Sequence, residues 1–314
     1  MSLLIASGPM KPERFAEGMR DLCNGLDVRI WPEAGKVSDI RYALVWKPPE
    51  EALTSLPGLE VIFSIGAGVD HILGQGRLPD VPLVRFVDPN LTMRMSEYVC
   101  LQVLMHHRRV RDYANNQGQA IWKEIWLQPG ANEIRVGVMG LGVLGLDAVE
   151  KLNMLGYQLA GWSRSQKQIE GIECFAGDDG LKPFLARTDI LVCLLPHTPE
   201  TEGMLNSKLI SGLAKDGALP GPVLINAGRG KIQVEADILA SLEADELWAA
   251  SLDVFEEEPL PSTSPLWAHP RVIITPHNAS ISDEMAVCRY VMEQIAQYEN
   301  GGSLENVVDS NQGY

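Results

Sequence analysis

The sequence predicts an α/β protein built as two parallel-sheet domains. Three observations predict it. The chain has 314 residues, enough for two cores of ordinary size. Short apolar runs alternate with helical patterns from residue 134 onward. The first ninety residues repeat that alternation on a smaller scale. Strand–helix–strand units of this kind cross over right-handed and build sheets covered on both faces.

In chain order, Leu3–Ala6, Val28–Trp31, Tyr42–Val45 and Val61–Ser64 read as strands, with helices at Pro12–Cys23 and Pro49–Leu56. Met95–Asn116 is amphipathic and long enough to be one helix joining two domains. Pro129-Gly130 punctuates the approach to a strand at Ile134–Met139. Helix Leu144–Leu155 and strand Tyr157–Trp162 follow. Further strands are expected at Ile190–Leu195, Val223–Ile225, Ala249–Asp253 and Val272–Ile274, and further helices at Leu181–Ala186, Ser207–Leu213 and Val234–Ala244. The segment Asp283–Gln297 has helical spacing and is expected to fold back onto the first domain. The domains are therefore residues 1–90 with 283–314, and residues 91–282.

Composition narrows the function classes. Hydrophobic residues make up 46% and charged residues 21%, as in a globular protein. The formal net charge is -15, and no Lys/Arg-rich run appears, which argues against a nucleic-acid partner. The basic stretch His106–Arg111 lies in a helix-like segment and reads as a solvated face. An acidic surface repels anions at long range, so any phosphate must be held by local Arg, Lys and backbone N–H groups. The five cysteines, Cys23, Cys100, Cys174, Cys193 and Cys288, are scattered, odd in number and without a CxxC. That pattern suggests a reducing compartment, with no disulfide framework and no metal site. No secretory signal and no run of about 18 apolar residues is visible, so no membrane role is expected and the cytoplasm is the expected location.

The strongest local signal is Gly140-Leu141-Gly142-Val143-Leu144-Gly145, a GxGxxG that follows a predicted strand and opens a predicted helix. Gly140 permits the tight turn, Gly142 lets the backbone approach a pyrophosphate, and Gly145 allows close helix–strand packing. The helix N-terminus adds unpaired N–H groups and partial positive charge. A dinucleotide site is the expectation. The next strand ends in Trp162-Ser163-Arg164-Ser165, with Lys167 beyond, where an NAD site carries Asp or Glu for the ribose hydroxyls. A 2′-phosphate would repel that acid but would pair with an Arg fork and two hydroxyls, so NADP(H) is expected, with NAD(H) a weaker alternative. The competing reading is that Ser and Arg merely cap an exposed loop.

Six motifs recur in one order: Ser64-Ile-Gly-Ala-Gly-Val-Asp70, the glycine motif, Leu194-Leu-Pro-His-Thr-Pro-Glu-Thr201, Asn226-Ala-Gly-Arg229-Gly230, Asp253-Val-Phe-Glu-Glu-Glu-Pro-Leu260 and Thr275-Pro-His277-Asn278. On these motifs, over nearly its whole length, the chain resembles the D-isomer-specific 2-hydroxyacid dehydrogenases, in particular their glyoxylate/hydroxypyruvate reductase A type. The resemblance implies two Rossmann-like domains, the doubly wound dinucleotide-binding domain inserted into a smaller flavodoxin-like substrate domain. It implies hydride reduction of small 2-keto acids, and a homodimer joined through the cofactor domain. Arg229 matches the residue that pairs with the substrate carboxylate, which suits a guanidinium facing a planar anion. His277 matches the acid that protonates the carbonyl oxygen, and an imidazole ordinarily titrates near pH ~6.5. Glu258, alone before Pro-Leu among three glutamates, matches the carboxylate that orients it.

By the same resemblance the backbone N–H groups of Ala67 and Gly68 hold the substrate carboxylate. Trp46 walls the pocket, although a partly buried core Trp is the competing reading. Asp253 binds the nicotinamide carboxamide, Leu195 and Pro196 flank the adenine, Thr201 reaches the phosphates, and Ala227 lies in the cofactor set. Gly228 stands where relatives usually carry Ala, a change expected to loosen the Arg229 loop. Two other readings compete: a dehydrogenase of larger D-2-hydroxy acids, and a catalytically silent dinucleotide sensor. The intact set Arg229, Glu258 and His277 argues against the sensor.

Overall fold

The structure, a computed structural model, describes residues 2–8, 10–76, 78–126 and 128–309. Met1 and residues 310–314, the outer ends of the first expected domain, lie outside the described residues. The strands are β1 (Ser2–Ala6), β2 (Asp27–Ile30), β3 (Ile40–Val45), β4 (Val61–Ser64), β5 (Leu83–Val84), β6 (Arg135–Met139), β7 (Gln158–Ser163), β8 (Glu173–Ala176), β9 (Ile190–Cys193), β10 (Val223–Asn226), β11 (Ala249–Leu252) and β12 (Val272–Ile274). The α-helices are α1 (Pro12–Leu22), α2 (Glu51–Thr54), α3 (Asp70–Leu73), α4 (Pro89–His107), α5 (Val110–Gly118), α6 (Val143–Met154), α7 (Gly177–Ala186), α8 (Ser207–Ser211), α9 (Glu235–Glu243) and α10 (Glu284–Glu299). They form two compact units, Met1–Leu91 with Ile281–Tyr314, and Thr92–Ser280.

The first unit holds a parallel sheet of order β2-β1-β3-β4-β5. This is a doubly wound order, and β1 and β4 are buried along their whole length. Helix α1 starts with Pro12 in its first turn, carries Glu13 there and Arg20 in its last turn, and buries Phe15, Ala16 and Met19. Helix α10 packs on it so closely that a Cβ on Gly18 would lie 2.8 Å from the Met285 sulfur. The far end of α10 is tied to β3, where Tyr42 donates to Glu299 and Arg41 forks onto Glu60.

The second unit holds a seven-stranded parallel sheet of order β12-β11-β10-β9-β6-β7-β8. Successive residues of each strand feed opposite faces. Leu191, Leu224 and Leu252 join Phe184 and Ile238 in one core, while Val136, Val192 and Ile225 join Val99 and Val149 in the other. The strand order reverses at β6, where β9 lies on one side and β7 on the other. The loop after β6 therefore opens at a topological switch point, where doubly wound sheets bind ligands.

The structure departs from sequence expectation in several places. The segment Met95–Asn116 is two helices, broken at Arg109, which takes a left-handed φ of 58°. Its guanidinium lies over Trp248 and pairs with Asp112, contacts invisible to local periodicity. The basic stretch is a solvated face only in part, with Arg108 exposed and Arg109 and Arg111 half-buried. His106 and His107 are buried, the first against Ser251 Oγ at 2.7 Å, the second between Tyr157 Oη and the Pro129 carbonyl. Strands β5 and β8 carry no sequence signal, β5 because it has only two residues and β8 because it holds exposed Glu173 and only partly buried residues. Helix α2 is shorter than Pro49–Leu56. Among the described residues no helix is long and apolar enough to cross a membrane.

The buried imidazole of His106 makes stability depend on pH. Burial, and to a lesser extent the charge of Arg111, pushes it down to about 4 from 6.5. Between those values the unfolded chain binds a proton that the folded chain refuses, so stability is present above the unfolded value and lost as pH falls. At about 1.4 kcal/mol per unit the loss reaches on the order of 3 kcal/mol as an upper bound. We expect Tm to fall more steeply from pH 7 to pH 5 in the wild-type protein than in His106→Gln. Parallel slopes would show that His106 is not an acid-sensitive point.

Candidate active site

The loop after β6 carries the glycine motif, and the structure separates the three glycines. Gly140 has a φ of 100°, and a Cβ there would lie 2.8 Å from the Leu194 carbonyl oxygen. A Cβ on Gly145 would lie 1.8 Å from the Gly140 carbonyl oxygen, so strand end and helix meet backbone to backbone. A Cβ on Gly142 would meet nothing within 4 Å. Its lack of a side chain answers no need of the protein's own packing and leaves room for a ligand against the N-terminus of α6. That helix has no side-chain cap at its first residue. Unsatisfied N–H groups facing open space are what a pyrophosphate needs, so the cradle fits a dinucleotide. Val143 is exposed and Leu144 half-buried beside it.

At the end of β7, Arg164 and Ser165 are exposed. Arg164 also lies near enough to Glu200, in the loop after β9, for its charge to help the Thr198 hydroxyl hold that carboxyl below the usual range. Arg164 and Glu200 thus rim the cradle from the two strands that flank β6. Among the residues grouped with the cofactor, several have other work in the structure. Leu141 fills the space over Gly161, and Trp162 and Leu195 are core side chains, the indole N–H of Trp162 donating to the Gly177 carbonyl. The Ser163 hydroxyl is buried and donates to the Ser165 carbonyl, so it closes the turn. Thr201 Oγ1 donates to the Pro196 carbonyl and accepts from the Thr198 N–H, both at 2.8 Å, which fixes the Pro196–Thr201 loop. Ala227 is buried and Pro196 half-buried.

The neighbouring strands β10, β11 and β12 bring the other expected residues to the same sheet edge. His277 and Glu258 form a hydrogen-bonded pair, with His277 Nδ1 2.8 Å from Glu258 Oε2 and 3.0 Å from Oε1. Their side chains are 35% and 25% exposed, so the pair is sheltered yet reachable. Glu258 Oε1 also accepts from the Phe255 N–H. His277 sits at a left-handed φ of 52°. Because Nδ1 faces the carboxylate, Nε2 is the nitrogen left to face a substrate.

Arg229 follows β10 and is half-buried, with Nη1 donating to the Gly228 carbonyl at 2.8 Å. The loop around it is tight. A Cβ on Gly230 would lie 1.8 Å from the Phe255 carbonyl oxygen, and one on Gly228 would lie 2.7 Å from that of Leu195. Gly228 therefore permits close packing, contrary to the expectation that it loosens the loop. Buried Asn226 donates to the carbonyls of Arg229 and of the Gln233 side chain, and Gln233 donates to the Val254 carbonyl. Asn226 opens one of the six motifs, but its clamping role and the part of Gln233 depend on partners in other loops that the sequence does not mark.

Asp253 is engaged with the protein's own loop. It is 1% exposed, and its carboxylate accepts from the Thr275 hydroxyl and the N–H groups of Asn278 and Ala279. It braces the loop that carries His277. In the first unit, Trp46 lies over Gly66, where a Cβ would be 2.4 Å from its ring, with its centroid 4.2 Å from that of His71. Ala67 and Gly68 follow in the same turn and are half-buried. Among the described residues no group of His, Cys, Asp or Glu side chains is placed to hold a metal ion.

Residues 100–279 match the family described as D-isomer specific 2-hydroxyacid dehydrogenase, NAD binding domain. The chain is 39% identical to a glyoxylate/hydroxypyruvate reductase A of Yersinia enterocolitica, over the whole of both chains. It is similar to a solved NADPH-dependent glyoxylate/hydroxypyruvate reductase of Sinorhizobium meliloti in complex with NADP and sulfate, with 45% identity, a TM-score of 0.94, and 100% of this chain and 99% of that one covered. It is also similar to a probable 2-hydroxyacid dehydrogenase of Rhizobium etli in complex with NADP, HEPES and L(+)-tartaric acid, with 47% identity, a TM-score of 0.94 and the same coverage.

The contrast between two glycines is directly testable. Gly145→Ala forces a backbone clash and is expected to destabilise the protein by about 1–3 kcal/mol or more. Gly142→Ala has room, so Tm should be unchanged or slightly raised, while dinucleotide affinity, read by fluorescence quenching, falls at least about tenfold. Undiminished affinity in Gly142→Ala would show that no ligand approaches that backbone.

Proposed function

The chain belongs to the D-isomer specific 2-hydroxyacid dehydrogenases, and from that membership we propose that it reduces small 2-keto acids, glyoxylate and hydroxypyruvate, to 2-hydroxy acids with NADPH. The observation that carries the reading is the His277–Glu258 pair at 2.8 Å, on the sheet edge that also bears Arg229. Relatives over the whole chain are named for this reduction.

In this reading the glycine cradle and Arg164 hold the dinucleotide. When bound, the reduced nicotinamide supplies a hydride to the keto carbon. Arg229 pairs with the substrate carboxylate through parallel hydrogen bonds and polarises the keto oxygen. As negative charge develops on the keto oxygen, imidazolium Nε2–H of His277 donates its proton there. Glu258, accepting from Nδ1–H, fixes the ring orientation and balances the imidazolium charge. Keto acid, hydride and proton together give the hydroxy acid.

Cofactor choice rests on the missing acid after β7 and on Arg164, with NADH the weaker donor. Five free cysteines fit a reducing compartment, the cytoplasm. A homodimer is favoured by the apolar surface of α4, α5 and the segment beyond: Leu101, Val110, Tyr113, Ile121, Trp122 and Trp126 are all exposed, the two tryptophans at 93% and 81%. Trp122→Asp should shift the protein toward monomer in sedimentation equilibrium; a wild-type monomer overturns the assembly.

The function is tested by following absorbance at 340 nm with a panel of keto acids and both cofactors. Glyoxylate and hydroxypyruvate with NADPH should show the highest kcat/KM. Phenylpyruvate as best substrate would instead favour the dehydrogenase of larger acids. Arg164→Ala should weaken NADPH binding about ten- to a hundredfold and leave NADH nearly unaffected. Equal losses would remove Arg164 from 2′-phosphate recognition. His277→Ala should lose about 10²–10⁴ in kcat while still binding NADPH. Near-wild-type turnover would mean that another group supplies the proton.

A further inference from the structure

Helix α4 sends Tyr98 toward the loop after β12. Its hydroxyl lies 2.9 Å from Thr275 Oγ1, which lies 2.6 Å from Asp253 Oδ1. The direction of these bonds follows from counting donors. Asp253 Oδ1 already accepts the N–H groups of Asn278 and Ala279, at 3.0 and 3.1 Å, and acts as an acceptor. The Thr275 hydroxyl therefore donates to Asp253. A hydroxyl has one hydrogen, so Tyr98 must donate to Thr275. Burial holds the Tyr98 hydroxyl well above the usual phenol range, so it keeps that proton.

The carboxylate at the end of this chain grips the His277 loop on both sides. The Asp253 main-chain carbonyl accepts the His277 N–H at 2.7 Å, and its side chain holds Asn278 and Ala279. Between those anchors His277 occupies a left-handed conformation that a non-glycine residue adopts only under constraint. The constraint is visible: one loop of five residues, Thr275–Ala279, closed on one buried carboxylate.

We propose that Tyr98 and Thr275 are positioning residues for the reduction: their directed hydroxyl chain orients the Asp253 carboxylate, which holds His277 in the conformation that places its ring on Glu258. Neither residue belongs to the proton-donating pair. The role rests on the reduction proposed above, and its test carries one arm that does not.

The informative substitution is Thr275→Val, which keeps the shape and removes the hydroxyl. With glyoxylate and NADPH, kcat should fall about tenfold while KM stays within about twofold, since loss of an aligned hydrogen bond acts on the proton donor and not on carboxylate binding. Thr275→Ser keeps the hydroxyl and should restore kcat to within about threefold of wild type. Tyr98→Phe removes only the outer link and should lose about threefold. Affinity for 2′,5′-ADP should be unchanged in all three, which separates misplacement of His277 from general unfolding. Independently of turnover, the imidazole Nδ1–H proton of His277, identified by its loss in Glu258→Gln, should vanish from the NMR spectrum of Thr275→Val and persist in Thr275→Ser. If Thr275→Val keeps wild-type kcat and the proton signal, or if Thr275→Ser is as impaired as Thr275→Val, the role is overturned. If wild-type protein turns over no keto acid, the function fails while the NMR arm still decides the positioning.

Discussion

Parallel pairing of all seven strands is the constraint on which the second unit depends. It sends every strand end, and so every loop that leaves one, to the same edge. The pairing continues one residue beyond the strands. Gly140 donates to the Trp162 carbonyl, Leu194 to that of Met139, Ala227 to that of Cys193, Asp253 to that of Asn226 and Thr275 to that of Leu252. Each functional loop therefore departs from a point already fixed by its neighbour. The glycine cradle, Arg229 and His277 are far apart in sequence but need only short loops to share one edge.

The loops themselves are held by buried polar clamps. Asn226 and Gln233 fasten the Arg229 loop to Val254, and Asp253 fastens the His277 loop. Glu235 and Glu256 exchange reciprocal bonds between carboxylate and main-chain N–H, at 2.7 and 2.8 Å, across the same region. Such networks are worth most when every member is satisfied, because an unpaired buried polar group is costly. They let exposed, charged side chains keep one geometry without being buried.

Much of this was legible in the sequence, because its signals are local. Alternating apolar runs gave most strands, and the glycine spacing located the cradle, each glycine's task following from its place in the strand–turn–helix. Arg229, Glu258 and His277 could be named because they stand in ordered motifs, and the structure brings Glu258 and His277 into contact. What escaped was set by distant partners. Tyr98 and Thr275 are 177 residues apart, and His106 and Ser251 are 145 apart. The break at Arg109 depends on Trp248, and the burial of His107 on Tyr157. The packing of Trp162 and Leu195 and the hydrogen bonds of Thr201 were hidden for a related reason: a motif gives the position of a residue but not the direction of its side chain.

The open space beside Gly142 has an evolutionary corollary. Gly145 and Gly230 are locked by neighbouring backbone, so drift there is purged as loss of the fold. Gly142 is not locked, and Glu258 and His277 lie near the surface with little core to lose. Descendants of this chain can therefore shed chemistry one residue at a time and remain well-folded proteins. Selection for stability alone would not preserve the enzyme; only continued demand for its product would.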